Sequence, residues 1–163
     1  MTQSTNQIHQ MVFAATLVAV NVVISRIFII PVPMTHGYIN LCDALILVAA
    51  MLMGSRWGAA IGGFSGLLLD LLGGYGQYMF FSLIVHGLEG WCAGYAKQSL
   101  RRTSRTLILL GSGLLMVLGY FVTDWLLYSW PAGVAGILPN MIQGLVGVVL
   151  AMGLLPRLER LIH

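Results

Sequence analysis

Residues 106–128 read TLILLGSGLLMVLGYFVTDWLLY, a stretch in which Asp124 is the one charged side chain. A helix needs about 20 apolar residues to cross a bilayer, so this stretch predicts a transmembrane helix. The whole chain has the same character, because 58% of its 163 residues are hydrophobic and only 8% are charged. A soluble domain carries about 25% charged residues. The composition therefore excludes an ordinary soluble fold, and its hydrophobicity excludes disorder.

Apolar runs separated by proline, glycine and basic clusters predict an all-α bundle of six transmembrane helices in a single integral membrane domain. Proline cannot continue the helical hydrogen-bond ladder, so Pro31, Pro131 and Pro156 are expected to lie outside the spans. The predicted helices are residues 8–30, 43–53, 58–72, 78–95, 106–128 and 139–155.

The charged residues between the apolar runs predict the orientation of the bundle. Lysine and arginine accumulate in short cytoplasmic loops. If the N- and C-termini are both cytoplasmic, Arg26 is the one basic residue on the outer side, and seven lie on the inner side. The seven are Arg56, Lys97, Arg101, Arg102, Arg105, Arg157 and Arg160. Basic residues confined to loops in this way do not indicate a nucleic-acid-binding face.

Small residues four positions apart predict close contacts between membrane helices. One such stripe, Gly58, Gly62 and Gly66, lies in the third predicted helix, and we expect it to pack within the chain. Ala15 and Ala19 form another pair in the first helix. Their spacing leaves open whether they face a helix of this chain or of another protein.

Polar side chains recur on single faces of the last three predicted helices. Ionisable groups are costly at membrane depth, so each marks a candidate functional site. Any one of them alone could be satisfied inside the bundle, but their convergence predicts a pocket for a small polar ligand. No basic residue accompanies them, which favours a neutral or zwitterionic ligand. The candidate binding residues are His86, Glu89, Asp124, Tyr128, Asn140 and Gln143, joined from the first loop by Tyr38 and Asn40 near Thr35 and His36.

Two other positions, one acidic and one aromatic, are interpreted as structural rather than ligand-binding. Asp70 is expected to make a helix-end contact. Tyr78 is expected to belong to the belt of aromatic residues at the membrane surface. The two cysteines, Cys42 and Cys92, lack metal-ligand spacing, so neither a metal site nor a cofactor is expected.

Catalytic motifs are weak in this sequence. No phosphate-binding Gly-x-x-x-x-Gly-Lys loop is present, so ATP hydrolysis would require a partner and the chain is not expected to be an enzyme. Residues 63–66 match the Gly-x-Ser-Gly pattern of rhomboid-type proteases, with Ser65 as nucleophile and His86 as base, which keeps an intramembrane serine protease as a remote alternative. A self-contained proton-coupled or passive transporter that uses His86 and Glu89 as a relay is a nearer alternative.

Several segments in a fixed order carry a family resemblance. They are PVPMTHGYINLCD at 31–43, MGSRWG at 53–58, Gly62-Gly63 with Asp70, Phe80-Phe81 leading to HGLEG at 86–90, and Ala-x-x-x-Ala at 15–19. In these features, over essentially its whole length, the chain resembles the substrate-binding S components of energy-coupling factor (ECF) vitamin transporters.

This resemblance implies a six-helix subunit in a bacterial cell membrane that captures a water-soluble vitamin from outside. Binding would use the first loop and helices four to six. A transmembrane scaffold subunit, to which Ala15 and Ala19 would dock, and two ATPases would complete the importer. The loop and second helix look most like the branch for hydroxymethylpyrimidine or pyridoxine-type compounds, with pantothenate as the rival.

Overall fold

The structure, a computed structural model, describes residues 2–31 and 38–162, and the predicted loop residues Thr35 and His36 lie outside this part of the chain. Six α-helices dominate the described residues, as the sequence predicts. They are α1 (Thr2–Ile27), α2 (Cys42–Met53), α3 (Ser55–Gly73), α4 (Met79–Ala93), α5 (Arg102–Leu127) and α6 (Trp130–Ile162). A short 3-10 helix, Gly94–Gln98, follows α4 directly.

Three of these helices are long and apolar enough to cross a membrane: Asn6–Ile27, Arg102–Leu127 and Trp130–Leu158. The shorter α2 has a different role. It spans roughly 18 Å at 1.5 Å per residue, less than the hydrocarbon core of about 30 Å. Nine of its 12 residues are buried, and it contacts α1, α3, α4 and α6. The hydrophobicity of α2 therefore serves the interior of the bundle rather than a lipid-facing surface.

The bounds of α6 correct the sequence prediction. The helix begins at Trp130 instead of residue 139 and runs through Pro139 and Pro156 to Ile162. Pro131 lies in the first turn, where its missing N–H would have no helical partner. Proline within a membrane helix is tolerated because neighbouring groups satisfy the carbonyl that it leaves unbonded. As a result, residue 140 lies about 15 Å into the helix instead of at its start.

The other helices differ from the predicted spans mainly at their ends. Helices α1, α3 and α5 begin at residues 2, 55 and 102 rather than 8, 58 and 106. Polar and basic residues extend these helices beyond their apolar parts, and hydropathy marks only the apolar part. Helix α1 ends at residue 27 instead of 30, because the chain then enters a strand.

A two-stranded ladder lies at the two described ends of the predicted first loop. Strands β1 (Ile30–Pro31) and β2 (Tyr38–Ile39) pair antiparallel, with Ile30 opposite Ile39. The ladder holds β2 just before the start of α2. It thereby positions Tyr38 and the following Asn40 at one end of the bundle.

Helices α3 and α4 approach to backbone contact along the predicted glycine stripe. A Cβ atom at Gly58 would collide with the carbonyl oxygen of Gly90, and one at Gly62 would collide with that of His86. A Cβ atom at Gly66 would lie 2.6 Å from His86 Cδ2. The expectation that this stripe packs within the chain is confirmed. The same stripe leaves room for the His86 ring between the two helices.

Helix α1 presents two different faces. Ala14 is buried in a cluster with Ala49 of α2 and Ile61 of α3. Ala15 and Ala19 lie on the other side of the helix and are exposed in the described structure. Among the described residues, this alanine pair therefore does not serve as a contact within the bundle.

Candidate functional site

A partly open cavity lies where β2 and the helices α3, α4, α5 and α6 meet. Six of the eight predicted binding residues line it: Tyr38, Asn40, His86, Asp124, Asn140 and Gln143. Six further lining residues were not predicted: Gly66, Leu69, Asp70, Tyr78, Tyr120 and Gly136. Side chains from the first loop and the last three helices therefore do converge.

The other two predicted residues lie outside the cavity lining. Glu89 is 0% exposed and is hydrogen-bonded to His86, on the far side of that ring from Tyr120. Tyr128 is 40% exposed, and its hydroxyl accepts a hydrogen bond from Gln77 Nε2 at 3.4 Å. Glu89 therefore supports the wall from behind, and Tyr128 lies beside the cavity.

Two tyrosine–carboxylate pairs stand in the cavity wall. The Tyr38 hydroxyl donates to Asp70 Oδ1 at 2.9 Å, and the Tyr78 hydroxyl donates to Asp124 Oδ1 at 2.6 Å. Burial, reinforced by the Asp70 carboxylate, raises the pKa of the Tyr38 hydroxyl above its ordinary value, so it keeps its proton and remains a donor. The absence of a side chain at Gly136 leaves room for the Asp124 carboxylate, since a Cβ atom at residue 136 would lie 2.7 Å from Asp124 Oδ2.

Asp70 and Tyr78 show why the sequence prediction was incomplete. Both stand near helix ends, where carboxylates and aromatic rings are common for reasons unrelated to ligands. Their partners lie 32 and 46 residues away in the chain. A local sequence pattern therefore cannot reveal either pairing. Gly136, which packs against Asp124, is only a weak signal that a side chain lies there.

The His86 ring is held at both nitrogens. Nδ1 lies 2.9 Å from Glu89 Oε2, and Nε2 lies 3.0 Å from the Tyr120 hydroxyl. The Tyr120 oxygen is also 2.7 Å from Ser82 Oγ. With the carboxylate accepting from Nδ1–H, Nε2 accepts from the tyrosine. These contacts fix one orientation of the imidazole against the cavity.

Gln143 connects three separate elements. Its Oε1 accepts the backbone N–H of Asn40 at 2.6 Å, and its Nε2 donates to Asp43 Oδ1 at 3.0 Å. Asn40 Oδ1 accepts the backbone N–H of Cys42 at 2.7 Å, which anchors the loop to the start of α2. Both ends of the Gln143 amide are therefore engaged by the protein. Asp43, which the sequence marked only as a helix start, orients this network.

The structure does not form the serine–histidine pair that a protease would need. Ser65 is fully buried and its Oγ has no hydrogen-bond partner among the described residues. His86 directs its two nitrogens to Glu89 and Tyr120 instead. A nucleophile requires its base within hydrogen-bond reach, so this arrangement does not support acyl transfer.

The charge of the cavity limits what it can hold. Asp70 and Asp124 contribute carboxylates, and no lysine or arginine is among the lining residues. Amides, phenols and one imidazole provide the remaining polar contacts. Such a wall favours a small neutral or cationic molecule that carries several hydrogen-bond donors.

Comparisons with known proteins agree on the class of protein. Residues 5–160 match the family model for the S component of the ECF-type riboflavin transporter. The chain is 42% identical over 154 residues to the "Thiamine precursor transporter HmpT" of Lactococcus lactis subsp. cremoris (strain MG1363), which covers 94% of this chain and 89% of that protein. It is 34% identical over 128 residues to an uncharacterized protein of Pyrococcus woesei, covering 77% of this chain and 84% of the relative.

A solved structure supports the same fold. The S component of a bacterial ECF transporter superposes with a TM-score of 0.78 over 96% of this chain and 98% of that one, at 19% sequence identity. At this identity the likeness concerns the fold alone. The family match and the identity to the Lactococcus protein together show that this chain belongs to the S components of ECF-type transporters.

Proposed function

We propose that the chain captures a vitamin precursor of the hydroxymethylpyrimidine type in this cavity and delivers it across a bacterial cell membrane. The observation that carries the proposal is a partly open polar cavity with two carboxylates and no basic side chain in its lining. The relative from Lactococcus, described as a thiamine precursor transporter, supports the same substrate class.

The charge of the lining separates the candidate vitamins. Pantothenate carries a carboxylate, which would be placed beside Asp70 and Asp124 without a compensating cation. Burying an unpaired charge is costly, so this anion is disfavoured. Hydroxymethylpyrimidine and pyridoxine carry no carboxylate, and both present hydroxyl groups that carboxylates can accept from.

The aminopyrimidine ring matches the lining groups most closely. It offers an amino donor next to a ring-nitrogen acceptor, and an asparagine amide presents the complementary acceptor and donor. Asn140 supplies such an amide, while Tyr78 and Tyr120 supply aromatic surface for a flat ring. The carboxylate of Asp124 retains an oxygen, Oδ2, beyond the one that Tyr78 occupies.

Calorimetry on the purified protein in lipid nanodiscs tests the substrate. We expect hydroxymethylpyrimidine to bind most tightly, pyridoxine less tightly and pantothenate weakest. Riboflavin belongs in the same panel, because the family model carries that vitamin in its description. Tighter binding of pantothenate or riboflavin than of hydroxymethylpyrimidine would contradict the proposal. Native mass spectrometry of the protein as purified provides a second readout, the mass of a retained ligand.

The free energy for transport would come from ATP hydrolysis by partner subunits. We propose that a transmembrane scaffold subunit docks on the exposed Ala15–Ala19 face of α1 and that two ATPases hydrolyse ATP. The support is family membership together with the exposure of this small-residue stripe. Small residues let the backbone of a second helix approach closely.

One contact favours an alternative function, in which this chain transports its substrate alone. His86 and Glu89 are directly bonded and buried, as a proton relay would require. Liposomes that contain only this chain separate the two functions. A proton-coupled transporter would accumulate substrate when a pH gradient is imposed, whereas an S component is expected to bind substrate without net uptake.

A further inference from the structure

A compact group of metal-ligating side chains lies behind the cavity wall. One ligand atom from each of Asp43, His86 and Glu89 lies within 4.8 Å of the other two. His86 Nδ1 is 2.9 Å from Glu89 Oε2 and 3.8 Å from Asp43 Oδ1. Asp43 and Glu89 are 0% exposed and His86 is 4% exposed.

The charge of this group is not balanced by the described protein. Two carboxylates share one imidazole, and no lysine or arginine among the described residues forms an ion pair with either acid. Asp43 Oδ2 and Glu89 Oε1 are buried, and no N–H or O–H donor of the described chain reaches them. Buried charges in proteins are normally paired or bound to metal. A dication would neutralise both carboxylates and give the two unpartnered oxygens a ligand.

The spacing of the three groups fits coordination by a transition metal. Ligand atoms about 2.0–2.2 Å from a tetrahedral Zn²⁺ lie roughly 3–4 Å from one another, close to the separations between His86 and the two acids. An imidazole with two carboxylates suits Zn²⁺ or Mn²⁺ better than Ca²⁺, which takes six to eight oxygens. The second oxygen of either carboxylate can complete the coordination.

Neighbouring side chains form hydrogen bonds with two of the three proposed ligands, as residues around metal sites commonly do. Gln143 Nε2 donates to Asp43 Oδ1. The Tyr120 hydroxyl lies 3.0 Å from His86 Nε2, the nitrogen that faces away from the two acids. With a metal on Nδ1, Nε2 would carry the proton and donate to the Tyr120 oxygen, the reverse of the direction in the metal-free chain, and this bond would fix the tautomer.

We propose that Asp43, His86 and Glu89 bind one divalent transition-metal cation of the Zn²⁺ class behind the vitamin cavity. The ion would connect α2 to α4 and fix the His86 ring in the cavity wall. Because it binds only the folded chain, it would also stabilise the fold.

Metal analysis of a chain purified without an oligohistidine tag tests this assignment. The protein is stripped with a chelator, incubated with Zn²⁺, passed over a desalting column and analysed by plasma mass spectrometry. We expect one zinc per chain, and an upward shift of the melting temperature on zinc addition. A stripped, folded protein that retains no zinc would overturn the proposal and indicate that protons neutralise the two acids.

Isosteric variants locate the ion. Asp43→Asn and Glu89→Gln each remove a ligand charge with little change in shape, and we expect zinc affinity to fall by at least about 100-fold in each. His9→Gln changes an exposed histidine of α1 and serves as the control for adventitious binding, with zinc retained. Equal zinc retention in the wild type and in both carboxamide variants would overturn the assignment.

Cobalt spectroscopy requires no variant, in case the substitutions prevent folding. Co²⁺ in a four-coordinate protein site absorbs visible light far more strongly than the six-coordinate aqua ion. We expect intense bands at one equivalent of Co²⁺ and their loss on addition of Zn²⁺. Absence of these bands would count against the site. No vitamin is added to these samples, and the bands report on the metal alone, so the result is independent of the proposed capture function.

Discussion

Asn140 presents a side-chain amide that no described residue engages, and we propose that it contacts the ligand. It lines the cavity and is 9% exposed, and no described residue forms a hydrogen bond with its side chain. Gln143, one helical turn further along α6, has both ends of its amide engaged by Asn40 and Asp43. Two amides that appear equivalent in the sequence thus differ in the structure, since one is unengaged at the cavity and the other holds the cavity wall together.

Substitution of Asn140 tests this difference. We expect Asn140→Ala to weaken binding of hydroxymethylpyrimidine by about 1–3 kcal/mol, the cost of leaving a buried polar group unsatisfied, or roughly 5–150-fold in Kd. Titration calorimetry measures the change. Asn6→Ala is the matched control, because Asn6 is exposed on α1 and lies outside the cavity lining, and the affinity of this variant should equal that of the wild type.

Glu89→Gln is expected to have a smaller effect on the vitamin than Asn140→Ala. The Glu89 carboxylate touches His86 and does not line the cavity, so it acts by orienting the ring. If calorimetry gave the wild-type affinity for Asn140→Ala, or a larger loss for Glu89→Gln, the ligand would have to lie deeper than this cavity.

Helices α3 and α4 depend on glycine for their close approach. Membrane helices gain little from hydrophobic burial against each other, because lipid tails are equally apolar. Close van der Waals packing therefore contributes more than burial to their association. At Gly58 and Gly62 the obstacle to a side chain is the backbone of α4, which cannot rotate away. The glycine spacing in the sequence predicted that this stripe packs within the chain, and the structure identifies α4 as its partner.

An added methyl group at Gly58 should separate the two helices. We expect Gly58→Ala to destabilise the bundle by about 1–3 kcal/mol, the usual cost of overpacking. Its melting temperature should fall by about 2–4 °C for each kcal/mol. Gly111→Ala in α5 is the control, since a Cβ atom at that position meets nothing within 4 Å. Equal melting temperatures for the two variants would show that α3 and α4 separate at little cost.

The bundle places its polar cavity at the opposite end of the helices from the basic segment that joins α4 to α5. Tyr38, Asn40 and Tyr78 lie in the segments that join α1 to α2 and α3 to α4. Lys97 and Arg101 lie in the segment that joins α4 to α5. If the positive residues of that segment lie in the cytoplasm, the cavity would open outward, as a subunit that captures external vitamins would need.

Reporter fusions test the proposed six-span orientation with cytoplasmic termini. We expect a green fluorescent protein fused after residue 163 to fluoresce and alkaline phosphatase at the same position to be inactive. Phosphatase inserted after Gly76, between α3 and α4, should be active. Active phosphatase at the C-terminus would contradict the orientation and place the cavity mouth in the cytoplasm.

Docking on the scaffold is tested on the exposed face of α1. We expect Ala15→Trp and Ala19→Trp to abolish co-purification with the scaffold subunit, because an indole prevents close approach of a second helix, and to leave vitamin affinity unchanged. Leu118→Trp, on the exposed surface of α5, is the matched control and should retain the scaffold. Normal co-purification of both alanine variants would move the docking face elsewhere.

Hydropathy and residue spacing were enough to predict the helical class, the packing of the glycine stripe within the chain, and six of the twelve residues that line the cavity. These properties are local, because a helix face repeats every three to four residues and lipid requires apolar side chains over a fixed length. The pairing of Gln143 with Asp43 spans 100 residues, and that of Tyr78 with Asp124 spans 46. Such contacts depend on how six helices pack against one another. For that reason the roles of Asp43 and Asp70, and the position of Glu89 behind the wall, became visible only in the folded chain.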